Sequence, residues 1–167
     1  MSLRTAKSFQ TGSTLIEVLV SLLVLSGGLL SMGGLQTVSL KNNQSAYYRT
    51  QATVYANDIA ERMRGNIAAV DAGAYNNVVG AATSACFTAA GCTPAQMAAQ
   101  DILDWGASIT TALPGGTSVV CLDASQEDGT AAAKACSNTG TVYAIKIWWD
   151  DDRDGTAEQR YVISFQP

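Results

Sequence analysis

The sequence predicts an α+β fold in which one long N-terminal helix packs against a small antiparallel β-sheet. Three observations carry this prediction. Residues 14–64 have a helical pattern that is apolar in its first half and amphipathic in its second. Residues 93–112 form a shorter helical pattern, and the last third of the chain alternates apolar and polar residues as strands do. Each amphipathic element must bury its apolar face against another element, so we expect these elements to form one small globular domain.

An apolar segment with a single carboxylate opens the long helix. No charged residue occurs between Glu17 and Lys41. A hydrocarbon core is crossed by about 20 apolar helical residues, so Val18–Leu40 is long enough to span a membrane. Arg4 and Lys7 precede the segment and favour a cytoplasmic N-terminus. A carboxylate at the bilayer centre costs roughly 2.5–3.5 kcal/mol on insertion scales, so Glu17 needs a functional reason.

Two ordinary explanations account for fewer of these features. The apolar region of a secretory signal peptide lacks acids and ends in an Ala-x-Ala-like site, yet no alanine lies between Ala6 and Ala46. Residues 31–33 offer only a poor substitute for that site. A plain single-pass anchor explains the length of the segment and leaves Glu17 without a role.

The leader and the start of the apolar helix resemble the type III signal of type IV pilins and pseudopilins. A short basic leader ends in Gly12, and the sequence STLIE follows at 13–17. The resemblance implies that prepilin peptidase cleaves between Gly12 and Ser13 and that the new N-terminus at Ser13 is methylated. It also implies that Glu17 pairs with the N-terminal amine of a neighbouring subunit during assembly, which offsets the desolvation of both charges. The family usually has Phe or Met where this chain has Ser13.

Three later segments extend the resemblance. CTPAQMAAQDILDW at 92–105, LPGG at 113–116 and IKIWWDDD at 145–152 are similar to segments of PilV-type minor pilins, the type IV pilus modification or assembly proteins. The implied domains are a cleaved leader at 1–12, a transmembrane half-helix at 13–40 and a periplasmic globular pilin domain at 41–167. The implied location is the inner membrane, followed by the pilus fibre after assembly.

The implied function is that of a minor pilin that takes part in priming and assembly of the pilus, with the filament tip as one location. Its implied partners are other major and minor pilins, the prepilin peptidase and the inner-membrane assembly platform. A minor pseudopilin of a type II secretion system shares the leader, helix and sheet, and is the alternative. A DNA-binding pilin and a simple membrane-anchored periplasmic protein are weaker alternatives.

The second half of the long helix is amphipathic. Asp58 and Arg62 lie four residues apart and can pair on its wet face. Gly65 and Asn66 end the helix, and an irregular connector is predicted up to residue 93. The predicted packing face combines residues that recur every three or four positions with small residues beside them: Tyr47, Gln51, Ala52, Val54, Tyr55, Ala56, Ile59, Ala60 and Met63.

A second helix is predicted to begin at Thr93. Pro94 at the first helical position and Gln96 at the capping-box spacing favour this start, and LPGG at 113–116 ends the helix. Its predicted buried stripe is Ala95, Ala98, Ile102, Trp105 and Ile109.

The rest of the chain predicts an antiparallel sheet. Residues 117–123 form a short candidate strand, and two longer strands follow. Trp105, Trp149 and Phe165 are predicted to pack in the core. The inward-facing residues of the two longer strands are Tyr143, Ile145, Ile147 and Trp149 on one, and Tyr161, Ile163 and Phe165 on the other.

Four cysteines follow the apolar segment, and this even count predicts disulfides on the oxidising side of a membrane. Three connectivities are possible. Short loops close easily, which favours Cys86 with Cys92 and Cys121 with Cys136. A four-cysteine metal site is a weaker alternative, since neither spacing is of the C-x-x-C type.

The turn before the last strand is acidic. Asp150, Asp152 and Asp154 followed by Gly155 match the first half of a calcium loop, and Glu158 falls at its ninth position. The twelfth position, where a bidentate glutamate belongs, is Tyr161. The sequence therefore favours a solvated hairpin tip, with weak calcium binding through the four acids as the alternative and no other cofactor.

Composition argues against two classes of function. The chain has no histidine, and no pair of carboxylates stands out as an acid and base, so we expect no enzyme. Loss of Arg4 and Lys7 with the leader leaves eight basic residues against 14 acidic ones, a net charge of −6. Such an acidic surface has no electrostatic reason to bind nucleic acid.

Overall fold

A computed structural model describes residues 14–166. The predicted cleavage position between Gly12 and Ser13 lies outside the described residues. The chain falls into two compact units, which divide between Asn43 and Gln44. Every buried residue of the described chain lies at or after Tyr48, so the hydrophobic core belongs to the second unit.

The long helix is α1, Leu15–Gly65, and it ends where the sequence predicts. Half of the residues that it buries in the second unit are alanines. The predicted face was wrong at Tyr47 and Val54, which are exposed. Alanines allow other elements to approach the helix backbone closely, which shifts the contact toward their side of the helix. The buried residues of α1 are Tyr48, Ala52, Ala56, Ile59, Ala60 and Met63.

The connector after α1 is more ordered than the sequence predicts. A one-turn helix α2, Ile67–Asp71, follows directly, and a 3-10 helix occupies Ser84–Phe87. The Asn66 side chain donates to the carbonyl of Pro94 at 2.9 Å, and the Tyr75 hydroxyl donates to Asp101 at 2.7 Å. Side-chain bonds of this kind hold the connector, and the local sequence pattern does not show them.

Helix α3, Pro94–Ala112, begins with the predicted capping box. The Thr93 side chain accepts from the Gln96 backbone N–H, and the Gln96 side chain accepts from the Thr93 backbone N–H. Ala98, Trp105 and Ile109 of the predicted stripe are buried. The stripe was wrong at Ala95, which is exposed because it lies in the first turn of the helix.

The sheet has three antiparallel strands in the order β1-β2-β3, with β1 Thr117–Leu122, β2 Tyr143–Trp149 and β3 Gln159–Phe165. The register pairs Ile145 with Ile163 and Ile147 with Tyr161. These residues lie on the inner face of the sheet, which shares one core with α1 and α3. The structure is therefore the predicted α+β arrangement of a long helix and a small antiparallel sheet.

The outer face of the sheet is also covered, which the sequence pattern does not predict. All seven residues of β2 are buried. Val119, Cys121 and Trp148 form a second small cluster against Ala131 and Cys136. The segment between β1 and β2, residues 123–142, thus closes the outer face.

Candidate functional site

The predicted assembly residue Glu17 lies in the first turn of α1 and is exposed. The hydroxyl of Ser21 donates to its backbone carbonyl at 2.7 Å. A carboxylate in the first turn of a helix interacts favourably with the helix dipole. Glu17 thus stands at the end of the helix where the sequence predicts the docking of a neighbouring N-terminus.

The helix around Glu17 presents an apolar surface that no other part of the described chain covers. α1 is long and apolar enough to cross a membrane. The large apolar side chains of its first half are exposed, with Leu30 at 77%. Exposed apolar surface of this extent marks a membrane or protein contact.

The acidic tip between β2 and β3 is organised by Asp150, whose side chain is nearly buried. One carboxylate oxygen accepts from the backbone N–H of Arg153 at 2.7 Å and of Asp154 at 3.2 Å. The other oxygen accepts from the Gly155 N–H at 2.8 Å. Asp150 therefore closes this turn by satisfying three of its backbone donors.

The same tip brings together most of the predicted calcium ligands. Asp150, Asp152 and Asp154 can each place one carboxylate oxygen within 4.8 Å of the others. Among the described residues, Glu158 does not belong to this group. Both carboxylate oxygens of Asp150 already accept hydrogen bonds within the turn, which explains the position of this side chain without an ion. Calcium binding therefore stays a prediction, which calorimetry would test.

The tip also contacts α1. The Arg153 guanidinium donates to the Tyr48 hydroxyl at 2.9 Å, and the Gln44 amide donates to the same hydroxyl at 2.8 Å. Asp150 donates its backbone N–H to the Pro114 carbonyl at 2.8 Å, which ties the tip to the turn after α3. The tip is therefore packed on its domain, and only part of it is a solvated hairpin end.

The buried charge of Lys146 on the outer face of the sheet is not among the residues predicted from the sequence. Its ammonium donates to Asp123 at 2.6 Å and to Asp128 at 2.8 Å, and the Lys146 and Asp123 side chains are fully buried. The Asp128 backbone carbonyl accepts from the same ammonium at 3.2 Å. A lysine between two isoleucines, with two acids shortly after the preceding strand, is the sequence signal that could have found it.

Lys146 sets the charge state of its partners. Burial raises the pKa of Asp123, but hydrogen bonds from Lys146 and from the backbone N–H groups of Ser125 and Ser137 outweigh it and lower this pKa below its ordinary value. The hydrogen bond from Lys146 also lowers the pKa of Asp128. Both carboxylates therefore stay ionised near neutral pH, and the lysine holds residues 123–128 on the sheet.

Two further contacts hold the outer cover. Arg160 of β3 donates to the backbone carbonyls of Gly129 at 3.0 Å and Glu127 at 2.5 Å. A disulfide joins Cys121 of β1 to Cys136.

The other disulfide joins Cys86 to Cys92 at the 3-10 helix, so the structure has the pairing that the sequence favours. Among the described residues, no cysteine is free.

Comparison with known proteins gives one match. A family model described as Tt1218-like, type IV pilin Tt1218, matches residues 34–103. The matched range runs from the middle of α1 through α2 and the 3-10 helix into α3. No curated protein and no solved structure matches the chain. The family match makes this chain similar to type IV pilins over residues 34–103, and the apolar helix and the three-stranded sheet fit that likeness.

Proposed function

We propose that this chain is a type IV pilin and that it is a minor subunit that takes part in priming and assembly of the type IV pilus. Its partners are other pilins, the prepilin peptidase that removes residues 1–12 and the inner-membrane assembly platform. The filament tip is its proposed place in the assembled fibre. Pilins are a structural family, and the proposal includes no enzymatic step.

The observation that carries the assembly role is Glu17, a carboxylate at the start of an exposed apolar helix. In a monomer such a group adds to the cost of membrane insertion, whereas in a polymer it can pair with a cationic N-terminus in the same apolar layer. The pairing sets the register between subunits. The resemblance of this chain to PilV-type proteins at 92–105, 113–116 and 145–152 supports a minor rather than a major subunit.

Replacing Glu17 tests this proposal. In Glu17→Val we expect normal cleavage and membrane insertion, because the apolar helix is kept, and loss of the subunit from pili, because the charge pair is lost. Immunoblots of membrane and sheared-pilus fractions measure both results. The unit after Asn43 should keep its melting temperature, since Glu17 lies in the other unit and the buried residues of the described chain lie at or after Tyr48.

Two matched variants complete the experiment. Glu17→Asp keeps the charge and should restore part of the assembly, whereas Ser21→Val, one turn along the helix, should leave assembly unchanged. Wild-type incorporation of Glu17→Val would contradict the pairing. A deletion strain that keeps its pili and loses type II secretion would replace the proposal by the pseudopilin alternative.

A further inference from the structure

A small cavity lies beside the edge of β1 that faces away from β2, in the second unit. It measures about 260 Å³ and is bounded by the connector after α2, by α3, by β1 and by the side chain of Lys134. Within residues 14–166, β2 is the one strand that pairs with β1, so the other edge of β1 faces the connector and this cavity. Of the predicted site residues that the structure describes, none lines it.

The polar part of the cavity is cationic. The Lys134 ammonium donates to the backbone carbonyl of Ser118 at 2.6 Å. Among the described residues, no carboxylate lies within ion-pair distance of this ammonium, unlike that of Lys146. Burial lowers the pKa of Lys134, because desolvation disfavours the charged ammonium. An anionic group in the cavity would supply the missing counter-charge.

The edge of β1 adds backbone donors. In an antiparallel sheet the N–H and C=O of one residue point to the same side of the strand. The Val120 carbonyl accepts from the Asn77 N–H at 2.8 Å, and the Ser118 carbonyl accepts from Lys134, so both residues direct these groups away from β2. Their N–H groups therefore face the same side of the strand as the Ser118 carbonyl that the Lys134 ammonium contacts. Backbone N–H groups beside a cation are the donors that hold a carboxylate.

The remaining walls are apolar and fixed in place. Ile102 and Trp105 of α3 and Val78 of the connector line the cavity, and Val79 at its mouth is 87% exposed. The connector is bonded to α3, with Ala81 N–H donating to the Ala99 carbonyl at 3.0 Å. Gly80 lies so close to α3 that a Cβ at this position would overlap the Leu103 backbone. The walls are therefore set before any ligand arrives, which lowers the cost of binding.

We propose that this cavity binds a small monocarboxylate with a branched apolar group. The carboxylate lies against Lys134 and the β1 edge, and the apolar group packs between Val79 and α3. The C-terminal valine or leucine of a peptide has this chemistry, and so does a free branched acid. The volume limits the apolar group to a few carbon atoms.

Titration of the full chain in detergent micelles with N-acetyl-valine tests the proposal, with N-acetyl-valinamide as the matched uncharged probe. We expect the acid to bind about tenfold or more tightly than the amide, because a charge-assisted hydrogen bond is lost with the carboxylate. Ligand-observed NMR measures both affinities. 3-Methylbutanoate, the free acid without the peptide group, distinguishes the two sources: tighter binding of N-acetyl-valine assigns the site to a peptide C-terminus.

Two variants locate the site. Lys134→Met should abolish the preference for the acid, whereas Lys41→Met, which removes an exposed charge of α1, should not change it. Gly106→Leu should block both probes, because a Cβ at Gly106 meets no atom and a larger side chain occupies space in the cavity. Equal affinity for acid and amide, or an acid preference that survives Lys134→Met, would overturn the proposal. So would an absence of binding at about 10 mM probe.

Discussion

The two faces of the sheet are both buried, but by different interactions. On the inner face, Ile145 and Ile147 pack against the apolar residues of α1 and α3. On the outer face, the neighbouring residue Lys146 holds a segment without regular secondary structure through two carboxylates. The inner face is stabilised by burial of apolar area, whereas the outer cover combines a small apolar cluster with the ionic network of Lys146, the hydrogen bonds of Arg160 and one disulfide. The outer cover should therefore be far more sensitive to single polar substitutions.

Removing the Lys146 charge should have the largest effect on stability. Lys146→Met keeps most of the side-chain volume and leaves Asp123 buried without its cation, so we expect a loss of about 3–5 kcal/mol in unfolding free energy. Denaturant unfolding of a fragment that begins at Gln44 measures it, since this fragment contains every buried residue of the described chain.

The adjacent inner-face residue provides the control. Ile147→Val removes one methylene group from the apolar core and should cost only about 0.5–1.5 kcal/mol. A double variant Lys146→Met with Asp123→Asn should recover part of the loss, because no uncompensated charge then remains in the buried pair. If Lys146→Met costs no more than Ile147→Val, the ionic network does not hold the outer cover.

The two disulfides should differ in their contribution to the free energy of unfolding, by less than the effect of Lys146→Met. Loop-closure entropy predicts about 3 kcal/mol for a 15-residue loop and about 2 kcal/mol for a loop of six residues. The sequence separations are 15 for Cys121–Cys136 and six for Cys86–Cys92. The double variant Cys121→Ala with Cys136→Ala should therefore be the less stable of the two double cysteine variants in the same unfolding assay.

The disulfide variants also separate the two faces. Loss of Cys121–Cys136 should expose backbone amides of residues 123–142 to rapid hydrogen exchange and leave those of α3 protected, because α3 is held by the inner core. Loss of Cys86–Cys92 should leave the amides of 123–142 protected. Equal exchange in both variants would mean that the disulfide and the cover are independent.

Sequence patterns predicted the parts of the fold that a local signal specifies. The alternation at Tyr143–Trp149 and the capping box at Thr93 are local signals, and both are confirmed. Tyr47 and Val54 were wrongly predicted to lie on the packing face of α1. Hydrophobicity alone does not reveal which side of an alanine-rich helix the other secondary-structure elements approach. Lys146 was missed because its partners lie 18 and 23 residues away in sequence. The prediction of cleavage between Gly12 and Ser13 rests on the family resemblance alone.

The mass and N-terminal fragment spectrum of the protein purified from its own membrane test the central claim most directly. A pilin that is processed for assembly must lose its leader and keep both Glu17 and the apolar helix. The account predicts a chain that begins at methylated Ser13. A chain that retains Met1, or one that begins beyond the apolar segment, would contradict it and favour a simple anchor or a secreted protein.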